Sequence, residues 1–414
     1  MAPRVIFFLF SLIFLYHANT SHSKEEKIQA FLHPIYRDNV TNLYSIPLTI
    51  GEYEPGMNPT TRTFLIDLNS AAPLLQTCAN AAKSASYHSI KCGSTRCKYA
   101  NPSFSCPINP TATKKPSCRK YLSTSLTTRP VNTRFIRDTV DLLYTYNGVY
   151  TMDSEKSSTV TLTCTDDSTA LKRIPVAFTG SIGLANTHLS IPSQLISMYK
   201  FSPKMALCLP SAKGFKTYSG DFWIGGGPYY YYPPLLKDVS TLFASTPLLR
   251  DSKSSDYLID VTSILIDGNT IALPSGATKI CTLAPYTVLH TSIYKALLTA
   301  FVGKAKMAKA PAVRPFGACF RSNGGRGVPM IDLVLKGGAK WRIQGSNSLV
   351  EVKKNVVCLG FVDGGVKVKN PIVIGGFQME DNLLEFDLKA SKFSFSSSLL
   401  RYNTSCSIER LRGM

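Results

Sequence analysis

The chain has 414 residues, of which 44% are hydrophobic and 17% charged; this is an ordinary globular composition, long enough for two domains or lobes. Lys and Arg outnumber Asp and Glu by 46 to 26, for a formal charge of +20, a balance that favours adhesion to anionic surfaces and fast encounter with acidic partners. Nucleic acid is excluded as a partner class, because the basic residues are scattered and no helix-turn-helix, zinc-finger or RNA-recognition signature is present.

Residues 1–23, MAPRVIFFLFSLIFLYHANTSHS, read as a secretory signal. Arg4 gives the positive start, Val5 to Tyr16 the apolar core, and Ala18 and Thr20 the small residues of a cleavage site. That core is too short to span a bilayer, and no later segment sustains an apolar run of spanning length. The expected product is a soluble, secreted, extracellular protein with no membrane association. Eleven cysteines in an exported chain imply disulfides, and the odd count leaves at least one thiol unpaired. Sequons at Asn39 and Asn403 mark possible glycosylation sites.

Strand-like alternation begins with "NLYSIPLTIG" and "TRTFLIDLN". Residues 92–130, rich in Cys, Pro, Ser, Thr and Lys, read as a disulfide-stapled excursion rather than a domain. "IPSQLISMYK" is helical, opened by a proline, with Leu195, Ile196 and Tyr199 on one face. The tyrosine run "GGGPYYYYPPLL" fits packing better than a sugar-stacking platform. Alternation resumes in "YLIDVTSILIDGNTI". A second helix is expected in "HTSIYKALLTAFVGKAK", with Thr291 or Ser292 as its cap. Its basic continuation, carrying Lys304, Lys306, Lys309 and Arg314, reads as a solvated loop. "VPMIDLVLKGGAKWRIQG" and "LLEFDLKASKFSFS" close a mostly β chain. A duplication shows through this order. The hydrophobic lead-ins "TFLIDLNSA" and "ATKICTLA" are each followed later by two apolar residues and a glycine, in "GSIGLA" and "IVIGGF".

With "FLIDLNS" in the place of hydrophobic-Asp-Thr-Gly, and Gly183 and Gly375 in the places of the two crossing-loop glycines, the chain resembles the pepsin-type aspartic proteases. It is more closely similar to their plant branch without peptidase activity. That branch includes xylanase inhibitors, xyloglucan-endoglucanase inhibitors, extracellular dermal glycoproteins and basic 7S globulins. The residues that carry this likeness are "TKICTLAPYTVLHTSIYKAL", "APFGACF", "IQGSNSLV", "NVVCLGFVDGG", "IVIGGFQMEDNLLEFDL" and "IPSQL". The resemblance implies a bilobal pepsin-like fold with an N-terminal lobe at 24–205 and a C-terminal lobe at 206–414. It also implies location in the apoplast or cell wall, and disulfides Cys78–Cys164, Cys208–Cys406 and Cys319–Cys358. Short spacing adds Cys92–Cys97 and Cys106–Cys118 as local loops, which leaves Cys281 free.

Aspartic proteolysis needs two carboxylates sharing a proton and a water. Asp67 is one; Cys281-Thr282-Leu283 stands where the second Asp-Thr/Ser-Gly belongs. Leu68 and Asn69 further replace a bracing hydroxyl and a bare glycine. No catalytic pair is intact, and Asp67 and Cys281 are vestigial. A nucleophilic Cys281 would need a base beside it; His290, nine residues on, enters a helix, so the thiol reads as buried and inert. Dispersed histidines and the lack of paired CxxC spacing exclude a metal site, and no cofactor motif is present.

The resemblance implies a proteinaceous inhibitor of microbial glycoside hydrolases, xylanase or xyloglucan endoglucanase. Such enzymes carry two carboxylates in an open cleft, which an arginine can hold in two-point geometry. The C-lobe loops that match by position carry Arg321, Arg326 and Arg401. An acidic wall polysaccharide is a further possible partner. A storage or peptide-binding globulin is the alternative, and a residual aspartic endopeptidase the third reading.

Overall fold

The computed structural model describes residues 27–51, 61–103, 106, 116–211, 219–231, 237–251, 254–274, 276–322, 324–407 and 412–413. The leader at 1–23 lies outside the described residues. Among those described, no helix is long and apolar enough to cross a membrane.

Mostly short antiparallel strands build the molecule, as the alternation predicts. In the first half, the long strand Val131–Thr145 is the organiser. It pairs with Glu155–Cys164 along one edge and with His88–Ser89 and Arg119–Leu122 along the other. Its inward residues Val131, Phe135, Ile136, Val140 and Leu142 are buried. The strand Thr61–Asp67 lies between Tyr44–Ile50 and Gly180–Gly183, and its pairing with the latter is parallel. The second half repeats this arrangement: Thr278–Ile280 runs parallel to Ile372–Ile374. The faint duplication in the sequence is therefore a duplication of topology, two parallel crossings each ending on a polar turn.

One sheet joins the halves. Lys204–Cys208 sits between Gly220–Ile224 and Asn382–Asp387, while Ala30–Arg37 pairs with Gly220–Ile224 and continues into the first-half strands. Phe31, Leu207, Phe222 and Phe386 are buried in it and belong to one apolar cluster that also takes in Phe64, Ile280 and Ile374. A continuous core of this kind resists separation of the lobes, because every buried side chain contributes on the order of 1.5–3 kcal/mol.

The expected helix Ile191–Tyr199 is present, capped by Ser190 and closed by Lys200 in the left-handed region. The second spans Thr291–Lys304, but its cap is His290, not Thr291 or Ser292. The Nδ1 of His290 accepts from the Ser292 amide at 3.2 Å, while the Thr291 hydroxyl is drawn away to Asp363 at 2.6 Å. In the tyrosine run, Tyr229 and Tyr231 are buried, and the Tyr229 hydroxyl donates to Glu385 at 2.8 Å; Tyr232 lies outside the described residues.

Three bridges, Cys78–Cys164, Cys208–Cys406 and Cys319–Cys358, connect distant segments. The local pairs differ from expectation. Cys92 joins Cys106 and Cys97 joins Cys118, in place of Cys92–Cys97 and Cys106–Cys118. The reason is a short helix, Thr95–Ala100, capped by Ser94. It buries Cys97 on its inner face. Hydrogen bonds from the Cys92 amide to Pro116 and from the Cys118 amide to Ile90 then bring residue 118 alongside. Sequence spacing could not see the helix that carries Cys97 and turns it away from Cys92. Cys281 is free and buried.

Candidate functional site

Each parallel crossing delivers its turn to the junction between the lobes. Gly183 stands opposite Asp67 in the register, and a Cβ there would come within 2.0 Å of the Ala72 carbonyl oxygen. On Gly375 it would come within 2.3 Å of the Tyr286 backbone. Both crossings need glycine for this closeness of backbones.

Asp67 is fully buried. Its Oδ1 accepts from the Asn69 amide at 3.1 Å and the Ser125 hydroxyl at 2.7 Å; its Oδ2 accepts from the Ser125 amide at 2.9 Å and the Thr124 hydroxyl at 3.1 Å. Thr124 and Ser125 belong to the tip of the hairpin made by Arg119–Leu122 and Val131–Thr145, and the Ala71 amide fixes that tip through Ser123 at 2.9 Å. Both oxygens are thus occupied by protein donors, in the place where a peptidase keeps its water. Burial pushes the Asp67 carboxyl up, against the downward pull of these hydrogen bonds.

Facing it, Cys281 is nearly sealed from solvent. Burial pushes its thiol up; the positive charge of Lys279 opposes this and the Asp67 charge reinforces it. His290 is engaged in its helix cap, so no base serves the thiol. The arrangement therefore lacks both an acid–base pair and an activated nucleophile.

Two polar cross-braces hold the turns together. The Thr282 hydroxyl donates to the Ile66 carbonyl at 2.5 Å and accepts from the Leu68 amide at 3.3 Å. The symmetric brace would come from a hydroxyl at 68, where leucine stands. Asn69 replaces it: its Nδ2 donates to the Ile280 carbonyl at 2.8 Å, and its Oδ1 accepts from the Tyr257 amide at 2.9 Å. The lost hydroxyl is compensated one residue later by an amide long enough to cross.

Beside the junction lies a cavity of about 550 Å³ whose lining includes Leu248, Arg250, Asp256, Tyr257 and Ser391. Burial pushes the Asp256 carboxyl up, but the hydrogen bonds and charges of Lys279 and Lys369, with Ser254, overcome this and hold it below its ordinary value. Sequence reading missed Thr124, Ser125 and Asp256, since hydroxyl residues in a loop and a lone acid before a strand carry no signature of where they fold.

The arginines expected to act as plugs do not form one group. Arg321 ends the strand Cys319–Arg321, and Arg326 lies in the turn that follows. Arg401 sits in the turn Leu399–Tyr402, at the end of the sheet that joins the lobes, near the Cys208–Cys406 bridge. All three are exposed, as are Asn39 and Asn403. Among the described residues, no group of three His, Cys, Asp or Glu could hold a metal.

Comparison with known proteins bears on this geometry. The description "Xylanase inhibitor N-terminal" matches residues 50–226 and "Xylanase inhibitor C-terminal" residues 256–397. Gamma conglutin 1 of Prunus dulcis is 36% identical over 365 residues, 83% of this chain and 82% of its own length. A probable aspartic proteinase, GIP2, of Nicotiana benthamiana is 32% identical over 432 residues, 96% of this chain and 95% of its own. The crystal structure of conglutin gamma, a basic 7S globulin from lupine seeds, superposes with a TM-score of 0.80 at 28% identity, covering 94% of this chain and all of that one. Two β-rich lobes, two glycine crossings and a shared junction are thus a pepsin-like fold, and the chain belongs to the xylanase-inhibitor family of pepsin-like proteins.

Proposed function

We propose that this protein is a catalytically silent, secreted member of its family that blocks microbial glycoside hydrolases, xylanase or xyloglucan endoglucanase, from the apoplast or cell wall. The observation that carries the silent half is the environment of Asp67: four protein donors on its two oxygens and a neutral, buried thiol where a second carboxylate would be needed. The inhibitory half is supported by the family description and by exposed arginines on C-lobe loops. An arginine entering a cleft with two carboxylates makes a charge-assisted two-point contact. Losing it strands a buried charge, at about 2–5 kcal/mol. Diffuse attraction from the net charge speeds encounter but is screened within about 8 Å at physiological salt.

The test is inhibition of a panel of secreted fungal xylanases and xyloglucan endoglucanases by the purified protein. Arg326→Ala or Arg401→Ala should weaken inhibition of a susceptible enzyme by a large factor, and Arg321→Ala serves as the neighbouring comparison. If no member of the panel is inhibited, the reading fails. The likeness to a seed globulin then favours the second reading, a storage or peptide-binding globulin. Hydrolysis of denatured haemoglobin at acid pH that pepstatin abolishes would instead restore the peptidase reading.

A further inference from the structure

The sequence presents the basic run after the second helix as a solvated loop. The fold gives it company. Lys309–Ala310, Cys319–Arg321, Val356–Leu359 and Leu349–Lys353 form one antiparallel sheet in the order 309–310, 319–321, 356–359, 349–353. Lys309 begins the first strand, Arg321 ends the second, Val356 begins the third and Lys353 ends the fourth. Because the strands alternate in direction, all four positions fall at the same end of the sheet. Lys354 lies in the turn there, next to Asn355, whose carbonyl accepts from the Ser322 amide at 3.0 Å. The Lys306 amide donates to the Gly327 carbonyl at 2.9 Å, which docks the Arg326 turn onto the same end. That docking requires glycine, since a Cβ at 327 would meet the Lys306 side chain at 2.7 Å.

Six cations from three separate stretches of sequence therefore share one edge of the C-lobe, all exposed: Lys306, Lys309, Arg321, Arg326, Lys353 and Lys354. Residues 291–330 contain no acid at all, and the nearest acid on the sheet itself is Glu351. Among the described residues, none of Lys306, Lys309, Arg321, Lys353 and Lys354 takes part in an ion pair. Some cations elsewhere are matched, Arg37 with Glu380, Lys204 with Glu385, Arg342 with Asp332, and Lys279 and Lys369 with Asp256, whereas others such as Lys98 and Lys172 are exposed and scattered. Gathering like charges works against folding and concentrates a positive potential at one place.

We propose that the lysines of this sheet end, Lys306, Lys309, Lys353 and Lys354, form a binding surface for an acidic polysaccharide of the polyuronate type, beside the proposed glycosidase contact at Arg326 and separable from it. The surface offers charge and little else. Phe316, Phe320 and Val356 beside it are buried, so it lacks the exposed aromatic or aliphatic anchor around which a protein partner would build a desolvated centre. It likewise lacks the stacking rings that single-stranded nucleic acid uses. A flexible polymer with a carboxylate on each sugar needs neither. It satisfies a row of lysines and arginines through repeated exposed ion pairs, each weak alone and effective together.

The full-length exported protein is passed over immobilised polygalacturonate and, in parallel, over neutral xylan, at graded sodium chloride. Retention is expected on the polyuronate and not on the neutral polymer, and it should weaken as salt rises. The quadruple variant Lys306→Gln, Lys309→Gln, Lys353→Gln, Lys354→Gln should lose about tenfold or more of its affinity for polygalacturonate. A control that removes the same charge from other exposed sites, Lys98→Gln, Lys172→Gln, Lys200→Gln, Lys389→Gln, should lose less than about twofold if the charge acts locally, within a screening length. Unchanged thermal melting of both variants shows that they are folded; if the first melts early, Lys353→Gln with Lys354→Gln replaces it. Equal losses in the two sets would show that net charge rather than this surface is responsible, and would overturn the proposal. So would failure of the unmodified protein to be retained, or stronger retention on a single-stranded RNA homopolymer than on polyuronate. Glycanase inhibition is read on the same variant, which keeps Arg326 and Arg401. Inhibition retained with polyuronate binding lost supports two separate contacts, and loss of both overturns their independence.

Discussion

The turn at Ile66–Asp67–Leu68–Asn69 and the turn at Ile280–Cys281–Thr282–Leu283 occupy equivalent places in the two lobes and have diverged in opposite ways. The first carries a carboxyl at Asp67 followed by Leu68 and Asn69. The second carries a thiol at Cys281 followed by the hydroxyl of Thr282. Together they still hold the lobes in register, because Thr282 reaches one way and Asn69 the other. What the two turns have in common is the connection. The difference separates two requirements that coincide in an active aspartic protease, where the same turns must both brace the lobes and bear two acids.

The sharpest way to break that comparison is to delete each vestige. Asp67→Ala strips the acceptor from two hydroxyls and two amides in a sealed site, and should cost about 3–5 kcal/mol in urea denaturation. Cys281→Ala removes only a small apolar contact and should cost about 1 kcal/mol. Equal losses would mean that Asp67 has no more structural work than the thiol. The braces come next. Asn69→Ala and Thr282→Ala should each cost about 1–3 kcal/mol, and the double variant should depart from additivity because both act on one junction. Strict additivity there would show that the two turns are independent.

Protonation sharpens the contrast further. The folded-state carboxyl of Asp67 is pushed above its unfolded value by burial. Its contribution to stability is therefore complete below the unfolded value and declines as pH rises through the folded one. Asp67→Asn should remove that slope, while Cys281→Ser should leave the acid and neutral range unchanged, since burial raises the thiol still further above it. Two other groups set the background and are common to both variants. Glu380 is raised to about 7 by burial, against the pull of Arg37 and Tyr44, and loses stability as pH rises from its unfolded value to that point. His33 is lowered to about 4 by burial; it accepts from the Leu143 amide and bonds the Pro47 carbonyl, so it loses stability as pH falls through the interval from 6.5 to 4. Subtracting the Asp67→Asn profile from the parent isolates the first turn.

The smallest expected effect is the most informative for function. Cys281→Asp with Leu68→Thr adds a second acid and a hydroxyl, and should still give no peptide hydrolysis near pH 3 to 5. Ser125 and Thr124 continue to occupy the carboxylate, and Asn69 and Leu283 continue to replace the glycines. Measurable, pepstatin-sensitive turnover would show that the second acid and the hydroxyl at 68 suffice for activity, despite Ser125, Thr124, Asn69 and Leu283.

Much of this was readable in the residues. Alternation gave the strands, the two apolar-apolar-glycine elements gave the crossings, and Asp67 and Cys281 were found because they sit in matching frames. What escaped depends on contacts that close across long sequence distances. Ser125 reaches Asp67 from 58 positions away, and Asn69 reaches Ile280 from 211; neither residue type advertises a partner at that range. The cysteine pairing escaped for a local reason. The short helix Thr95–Ala100, which contains Cys97, changes which neighbour each cysteine can meet, and spacing alone treats that segment as loop.

The crossed bridges of that segment carry a consequence for how the protein matures. Cys118 immediately precedes Arg119–Leu122, the first strand of the hairpin that covers Asp67. While Cys97 and Cys118 are still thiols, the base of the hairpin is held without a covalent tie, by its strand pairing and by the Asn101 and Thr133 side chains on the Arg119 and Lys120 carbonyls, and the tip opens at a lower cost. Oxidation of that pair removes that freedom. Closure over Asp67 is thus tied to the redox state of Cys97 and Cys118, and a chain kept reduced there would open the cover of its buried carboxyl more readily.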